Sequence, residues 1–370
     1  METFNSVISA PKQADRFYEL DSFRGIATLL VVCTHIDQRP LFWAWSLMDM
    51  FFVLSSFLLT RIVFKKCTDF RGVMAFYGRR IERIWPLYFL TVSVLFAISI
   101  VINNFKDFQV FDLNVFVRYY TFSQYTEMMF YPVASYDYIY YARHLWSLAI
   151  EEQFYVLLPL AILFFRRIPP AVGVAALLAV VGLSINQRVA NPNMYVLTSH
   201  IDAFALGSLM AVAFDRIRAN IIWATRMLSA LAFISFLFFM PYMLDGYITV
   251  MNSGPLPEYE AGPATASTMF WTATIGLLAL HHGARQLWLM RLPALVHTGR
   301  LSYALYLVHF PILRLLAKPL AAKIPGLTVL MAELLCLPLI WLAAELLYRK
   351  IDRPLQEARS SHLNGQVAKN

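Results

Sequence analysis

The chain has 370 residues, 59% of them hydrophobic and 15% charged, where soluble proteins carry about 25% charged residues. With a mean hydropathy of +0.56, this argues against a soluble globule, whose surface would need more charge. The net charge of +8 does not signal a nucleic-acid partner, because Lys and Arg punctuate the ends of apolar runs instead of gathering on one face. Cys33, Cys67 and Cys336 lie far apart with no CxxC spacing, so neither a disulfide framework nor a zinc site is indicated, and no metal is expected.

Apolar stretches at about 22–38, 42–63, 84–102, 146–165, 170–186, 199–214, 222–242, 265–282, 301–317 and 327–348 each approach the roughly 20 helical residues needed to cross a bilayer. They predict an all-α integral membrane protein with about ten transmembrane helices in one bundle. Residues 1–15 form a cytoplasmic tail, 16–355 the membrane domain, and 356–370 a flexible polar tail. The first sixteen residues have no apolar core of a leader, so the first span is expected to act as its own insertion signal. Arginines and lysines concentrate in the alternate loops 64–83, 166–169, 215–221, 283–300 and after 348. That bias predicts both termini inside. The two long outer segments are then 103–145, rich in tyrosine, and 243–264, which is acidic.

The informative residues are the polar exceptions. In the first span, Arg24 and His35 are eleven positions apart, so they share a helix face about 16 Å apart along the axis, and Asp21 lies one turn before Arg24. Ionisable groups inside a membrane are expensive unless they face protein or water, which makes them functional candidates. Arg79, Arg80 and Arg83 precede the third span. They suit bidentate phosphate binding, although positive-inside signalling explains part of the cluster. His144, Ser147, Glu151 and Glu152 open the fourth span beside Trp146, with Ser147 and Glu151 on one face. Tyr303, Tyr306 and His309 make a polar stripe through the ninth. Imidazole is the natural general base near neutrality. No P-loop or HExxH spacing occurs. An inner phosphate site and an outer tyrosine-rich surface suited to sugars point to group transfer from a cytoplasmic phosphate-bearing donor. A transporter would concentrate buried charge in the same way, so on these grounds the two readings stand level.

Seven segments in order carry a resemblance: DSFRGIATLLVVCTH at 21–35, FFVLSSFLLTRI at 51–62, FYGRRIERIWPLYFL at 76–90, HLWSLAIEEQFYVLLP at 144–159, IDAFALGSLMA at 201–211, GRLSYALYLVHFPI at 299–312 and YRKIDRP at 348–354. Together they resemble the membrane acyltransferase-3 family of O-acyltransferases. The resemblance implies a ten-helix domain in the bacterial inner membrane, using acetyl-CoA or another short acyl-CoA as donor. It implies His35 as the base or acyl-handling residue, with Glu151 or Glu152 supporting it, and Arg24, Arg80 and Arg83 on the donor beside Arg79. Asp21, Ser55, Ser56, His144, Trp146, Ser147, Tyr303, Tyr306 and His309 would form the supporting and substrate-facing set. The acceptor implied is a sugar hydroxyl of an exported or lipid-linked glycan, such as an exopolysaccharide or O-antigen. A small molecule or lipid is the alternative acceptor. Partners would be membrane lipids and proteins of polysaccharide biosynthesis, with no nucleic acid. Some relatives carry a fused hydrolase-like domain; these 370 residues contain none, and the chain is expected to act alone or with separate partners. Three departures stand out: Ser56 where the family has glycine, His200 where it has arginine, and Asp352 where it has glutamate.

Overall fold

The computed structural model describes residues 17–102, 113–124, 137–255, 257 and 259–355. Among them there is no strand. The long helices are α1 (Tyr18–Ile36), α2 (Ser46–Lys66) and α3 (Phe70–Ile102), with the short α4 (Leu113–Tyr120) following. Then come α5 (Trp146–Phe165), α6 (Pro170–Ala190), α7 (Ile201–Arg218) and α8 (Ile221–Met251). The last are α9 (Ala261–Leu280), α10 (Pro293–Ile312), the short α11 (Lys318–Lys323) and α12 (Val329–Leu347).

Seven of these segments are long and apolar enough to cross a membrane, those containing α2, α3, α5, α6, α8, α10 and α12. Each carries lipid-compatible surface. On α5, for instance, Val156, Leu157, Leu160 and Phe164 are all exposed, following the helical repeat. The other three long helices, α1, α7 and α9, fall short of that hydropathy because they carry the polar residues. α1 brings Glu19, Asp21, Arg24 and His35, α7 brings Asp202 and Asp215, and α9 is rich in Ala, Thr and Gly. The expected all-helical architecture with multiple apolar helices is present; where about ten crossings were expected, seven helices among the described residues are long and apolar enough to cross a membrane.

Several boundaries differ from those expected. α3 starts at Phe70, so Arg79, Arg80 and Arg83 lie on the helix and not in a loop. Pro86 lies within it, tolerated because partners around the helix can re-satisfy a freed backbone carbonyl. α8 runs on past Pro241 to Met251, so the connecting segment expected over 243–264 shrinks to residues 252–260. α10 begins at Pro293, a residue suited to a helix's first turn, and ends at Ile312, not 317. Much of the tyrosine-rich segment, including Tyr125, Tyr131 and Tyr136, lies outside the described residues, as do both tails.

The bundle is pinned where α1 crosses α10. A Cβ added to Gly25 would come within 2.7 Å of the Gly299 backbone nitrogen, and one added to Gly299 would overlap the Asp21 carbonyl. Only small residues let two backbones approach like this. Gly299→Ala is therefore expected to push the helices apart and destabilise the protein by about 1–3 kcal/mol, read as a lowered unfolding midpoint in detergent.

Candidate active site

One cavity of about 1290 Å³ opens among α1, α2, α3, α5 and α10, above the roughly 300–1,000 Å³ of a drug-sized ligand pocket. Its mouth is basic, with Arg61, Lys65, Lys66, Arg83, Arg218, Arg300, Arg349 and Arg353; Arg24 and Arg80 also line the cavity. Five carboxylates share it: Asp21, Glu151, Glu152, Glu345 and Asp352. The lysines end α2, and Arg349 and Arg353 follow α12, so the mouth sits at the end of the bundle where these helices finish.

The carboxylates are held, not loose. Ser55 donates to Glu151 Oε1. Trp85 Nε1 donates to Glu152 Oε2 at 3.2 Å, while Glu152 Oε1 is buried with no hydrogen-bond partner among the described residues. At the mouth, Glu345 takes His297 at 2.8 Å and also pairs with Arg349 one turn on. Deeper, Ser147 and Tyr306 both line the cavity and their hydroxyls lie 2.7 Å apart. Tyr303 also lines it, its hydroxyl donating to the Ile84 carbonyl at 2.8 Å.

Tyr306 links this cavity to a second cluster, at the other end of α1. Its hydroxyl donates to the His144 carbonyl, and its ring lies 5.4 Å from His144 and 5.6 Å from His309. His309 in turn lies 5.1 Å from His35 and 5.2 Å from His144, all centroid to centroid. Phe310 closes the group, 5.0 Å from His35 and 5.2 Å from His144. His144 Nε2 faces the Leu307 carbonyl at 3.3 Å, and His309 Nδ1 faces those of Tyr306 and Leu305 at 2.7 and 3.1 Å. A carbonyl only accepts, so those nitrogens carry the hydrogens. The opposite nitrogens, His144 Nδ1 and His309 Nε2, are buried without a hydrogen-bond partner among the described residues. Two imidazole lone pairs are therefore available beside the half-buried His35.

The expected residues thus divide into two groups. Asp21, Arg24, Ser55, Arg80, Arg83, Ser147, Glu151, Glu152, Tyr303 and Tyr306 share the cavity. His35, His144 and His309 form the histidine cluster, and His35 is not among the cavity-lining residues. Arg79, Ser56 and Trp146 belong to neither. Trp146 packs 5.2 Å from Tyr195 and 6.0 Å from His200. Ser56 is buried, donates to the Val53 carbonyl at 3.0 Å and faces Gly207 of α7, where a Cβ would collide with its hydroxyl. Its departure from the family pattern therefore sits at a helix–helix contact, not on the cavity wall.

A densely bonded buried arginine carries no signal in the sequence. Arg188 of α6 is fully buried and makes a fork to Asp202 at 2.7 and 2.8 Å, with further bonds to the Ser199 carbonyl at 2.5 Å and Thr265 at 3.2 Å. His200 Nδ1 lies 2.6 Å from Asp49 Oδ1, and its Nε2 lies 2.7 Å from the Met194 carbonyl. The ring therefore bridges the Asp49 carboxyl of α2 and the Met194 carbonyl. The guanidinium on Asp202 comes from Arg188, and His200 serves Asp49 instead.

The acyltransferase domain that defines the acyltransferase-3 family matches residues 17–345. The chain belongs to this family. It is similar to the O-acetyltransferase OatA of Staphylococcus aureus strain NCTC 8325 / PS 47, with 26% identity over 355 residues, covering 91% of this chain and 57% of that protein. OatA of S. aureus strain COL gives the same figures. The chain thus spans a little over half the length of these curated relatives. No solved structure gives a significant match. Among the described residues, no group of three or more His, Cys, Asp or Glu side chains, the histidine cluster included, is arranged to hold a metal ion.

Proposed function

We propose that the protein is an acyl-CoA-dependent O-acyltransferase of the bacterial inner membrane that places an acetyl group on a sugar hydroxyl of an exported or lipid-linked glycan. The observation that carries this reading is the continuity of one path. A cavity with a cationic mouth runs to Tyr306, which touches the histidine cluster. A polyanionic nucleotide donor suits the mouth, because guanidinium groups bind phosphates in forked geometry. The mouth then faces the cytoplasm, both termini lie inside, and all ten long helices cross the membrane, the polar α1, α7 and α9 sheltered by the other seven.

In this reading the thioester end of the donor reaches past Glu151 and Ser147 towards Tyr306. The acceptor hydroxyl enters from the opposite end, beside His35. Its proton passes to the His35 imidazole as its oxygen attacks the thioester carbonyl. A C–O bond forms, the C–S bond breaks, and the thiolate takes up a proton as free CoA. The open nitrogens of His144 and His309 accept hydrogen bonds from the acceptor's hydroxyls. A small-molecule or lipid alcohol would follow the same chemistry.

The test is mass analysis of surface polysaccharide from cells with and without the gene, together with release of CoA thiol from acetyl-CoA by membranes carrying the chain. Acetylation that depends on the gene, with thiol release, is expected. Unchanged acetyl content with lost glycan flux would mean a transporter instead. Replacing both Arg80 and Arg83 by Ala is expected to raise the acetyl-CoA KM by about tenfold or more, as two charge-assisted phosphate contacts are lost.

A further inference from the structure

α10 does not end cleanly. A π-turn, Leu313–Ala317, joins it to α11. Pro319 has no N–H to offer the Leu315 carbonyl, so the hydrogen-bond ladder must slip by a residue or leave that acceptor open. Arg314 lies on this turn. Its Nη2 donates to the backbone carbonyl of His35 at 3.0 Å, and its Nη1 pairs with Glu333 of α12 at 3.1 Å. The guanidinium carbon sits 5.3 Å from the centroid of Phe310, the ring that meets His35 edge-on at 5.0 Å and 75°. Glu333 is only 3% exposed. A buried carboxylate there has a cost unless it is paired, and Arg314 is the group that pairs it.

A single guanidinium therefore holds both the backbone of His35 and the aromatic ring against which its imidazole packs. The end of α1 is already closed by the Asp37 N–H on the Cys33 carbonyl at 3.0 Å, so closing the helix does not require Arg314. His35 itself has no side-chain hydrogen bond among the described residues. Its ring is positioned by its backbone and by packing alone. We propose that Arg314, oriented by Glu333, is the positioning residue that aims the His35 imidazole. This rests on the reading of His35 as the general base.

The test uses the full-length chain and the variants Arg314→Ala, Arg314→Lys and Glu333→Gln. Diethyl pyrocarbonate labelling of His35, mapped by peptide mass spectrometry in detergent, reads the imidazole's environment without needing activity. CoA thiol release from acetyl-CoA in membranes gives kcat and KM. Arg314→Ala is expected to change the His35 labelling rate several-fold and to lower kcat by about 10- to 100-fold, the scale of a misplaced catalytic group. The acetyl-CoA KM should stay within about twofold, because the contacts made in ground-state binding are untouched. Arg314→Lys, which keeps a charged donor, should recover part of both losses, and Glu333→Gln should give a smaller version of them. Wild-type labelling and kcat in Arg314→Ala would overturn the proposal. So would a loss that lysine does not rescue and that tracks a falling yield of folded protein. If the wild type releases no CoA thiol, the transferase reading fails on its own, while the labelling comparison still decides whether Arg314 positions His35.

Discussion

Replacing His35 with alanine is expected to abolish acyl transfer while leaving the protein in the membrane. Loss of a positioned general base costs about 10²- to 10⁴-fold in rate. The change should appear in kcat more than in the donor KM, because His35 is not among the residues lining the cavity assigned to the donor. Folding should survive, since the side chain is half-buried and no hydrogen bond anchors it among the described residues. The measurement is acetyl content of the glycan, with membrane yield of the variant as control. Wild-type acetylation would remove His35 from the mechanism. It would shift attention to His309, the neighbouring imidazole that is fully buried and has an open nitrogen.

Much of this arrangement is legible in the sequence because membranes make polar residues conspicuous. Arg24 and His35 stand out in an apolar run, and the helical repeat alone puts them on one face. The structure places Arg24 on the cavity and His35 in the histidine cluster beyond it. Glu151 and Ser147 stand out in the same way. Helix ends were harder to read. α3 and α8 extend well beyond their apolar cores, because backbone hydrogen bonding continues where hydropathy has already fallen. The meeting of His35, His144 and His309 joins α1, the start of α5 and α10, and no local pattern encodes contacts between such distant segments. Arg314 carries no local signal that sets it apart from other basic residues near helix ends. Its role appears only once the π-turn brings it against the end of α1. Arg188 follows an apolar run in the position of a headgroup anchor, a place where snorkelling explains most arginines, and only the fold shows it turned inward.

That inward turn gives the largest expected effect on stability. Arg188 joins α6 to Asp202 of α7 and Thr265 of α9, and its Nη2 also lies 4.0 Å from Asp49 of α2. Arg188 and His200 together face the carboxyls of Asp49 and Asp202, and every one of these four side chains is almost fully buried. Arg188→Met strands the buried Asp202 carboxyl with only the Ser184 hydroxyl at 3.2 Å as a side-chain hydrogen-bond donor among the described residues, while Asp49 keeps His200. Breaking a buried pair from one side costs about 3–5 kcal/mol, comparable to much of the stability of an ordinary domain. The variant is expected to be nearly absent from membranes or to unfold far below the wild type in detergent. The companion variant separates electrostatics from packing. Arg188→Met with Asp202→Leu removes both partners of the fork together, so no charge is stranded between them. Apolar replacement of a whole buried pair is often neutral or stabilising. The double variant should recover most of the lost yield, although Asp49 and His200 still pair across α2 and α7. If it is as unstable as the single variant, shape and not charge is what Arg188 supplies to this four-helix junction. If it recovers folded protein and also keeps full acyl transfer, the quartet is a scaffold for the helices around the cavity and takes no part in the chemistry.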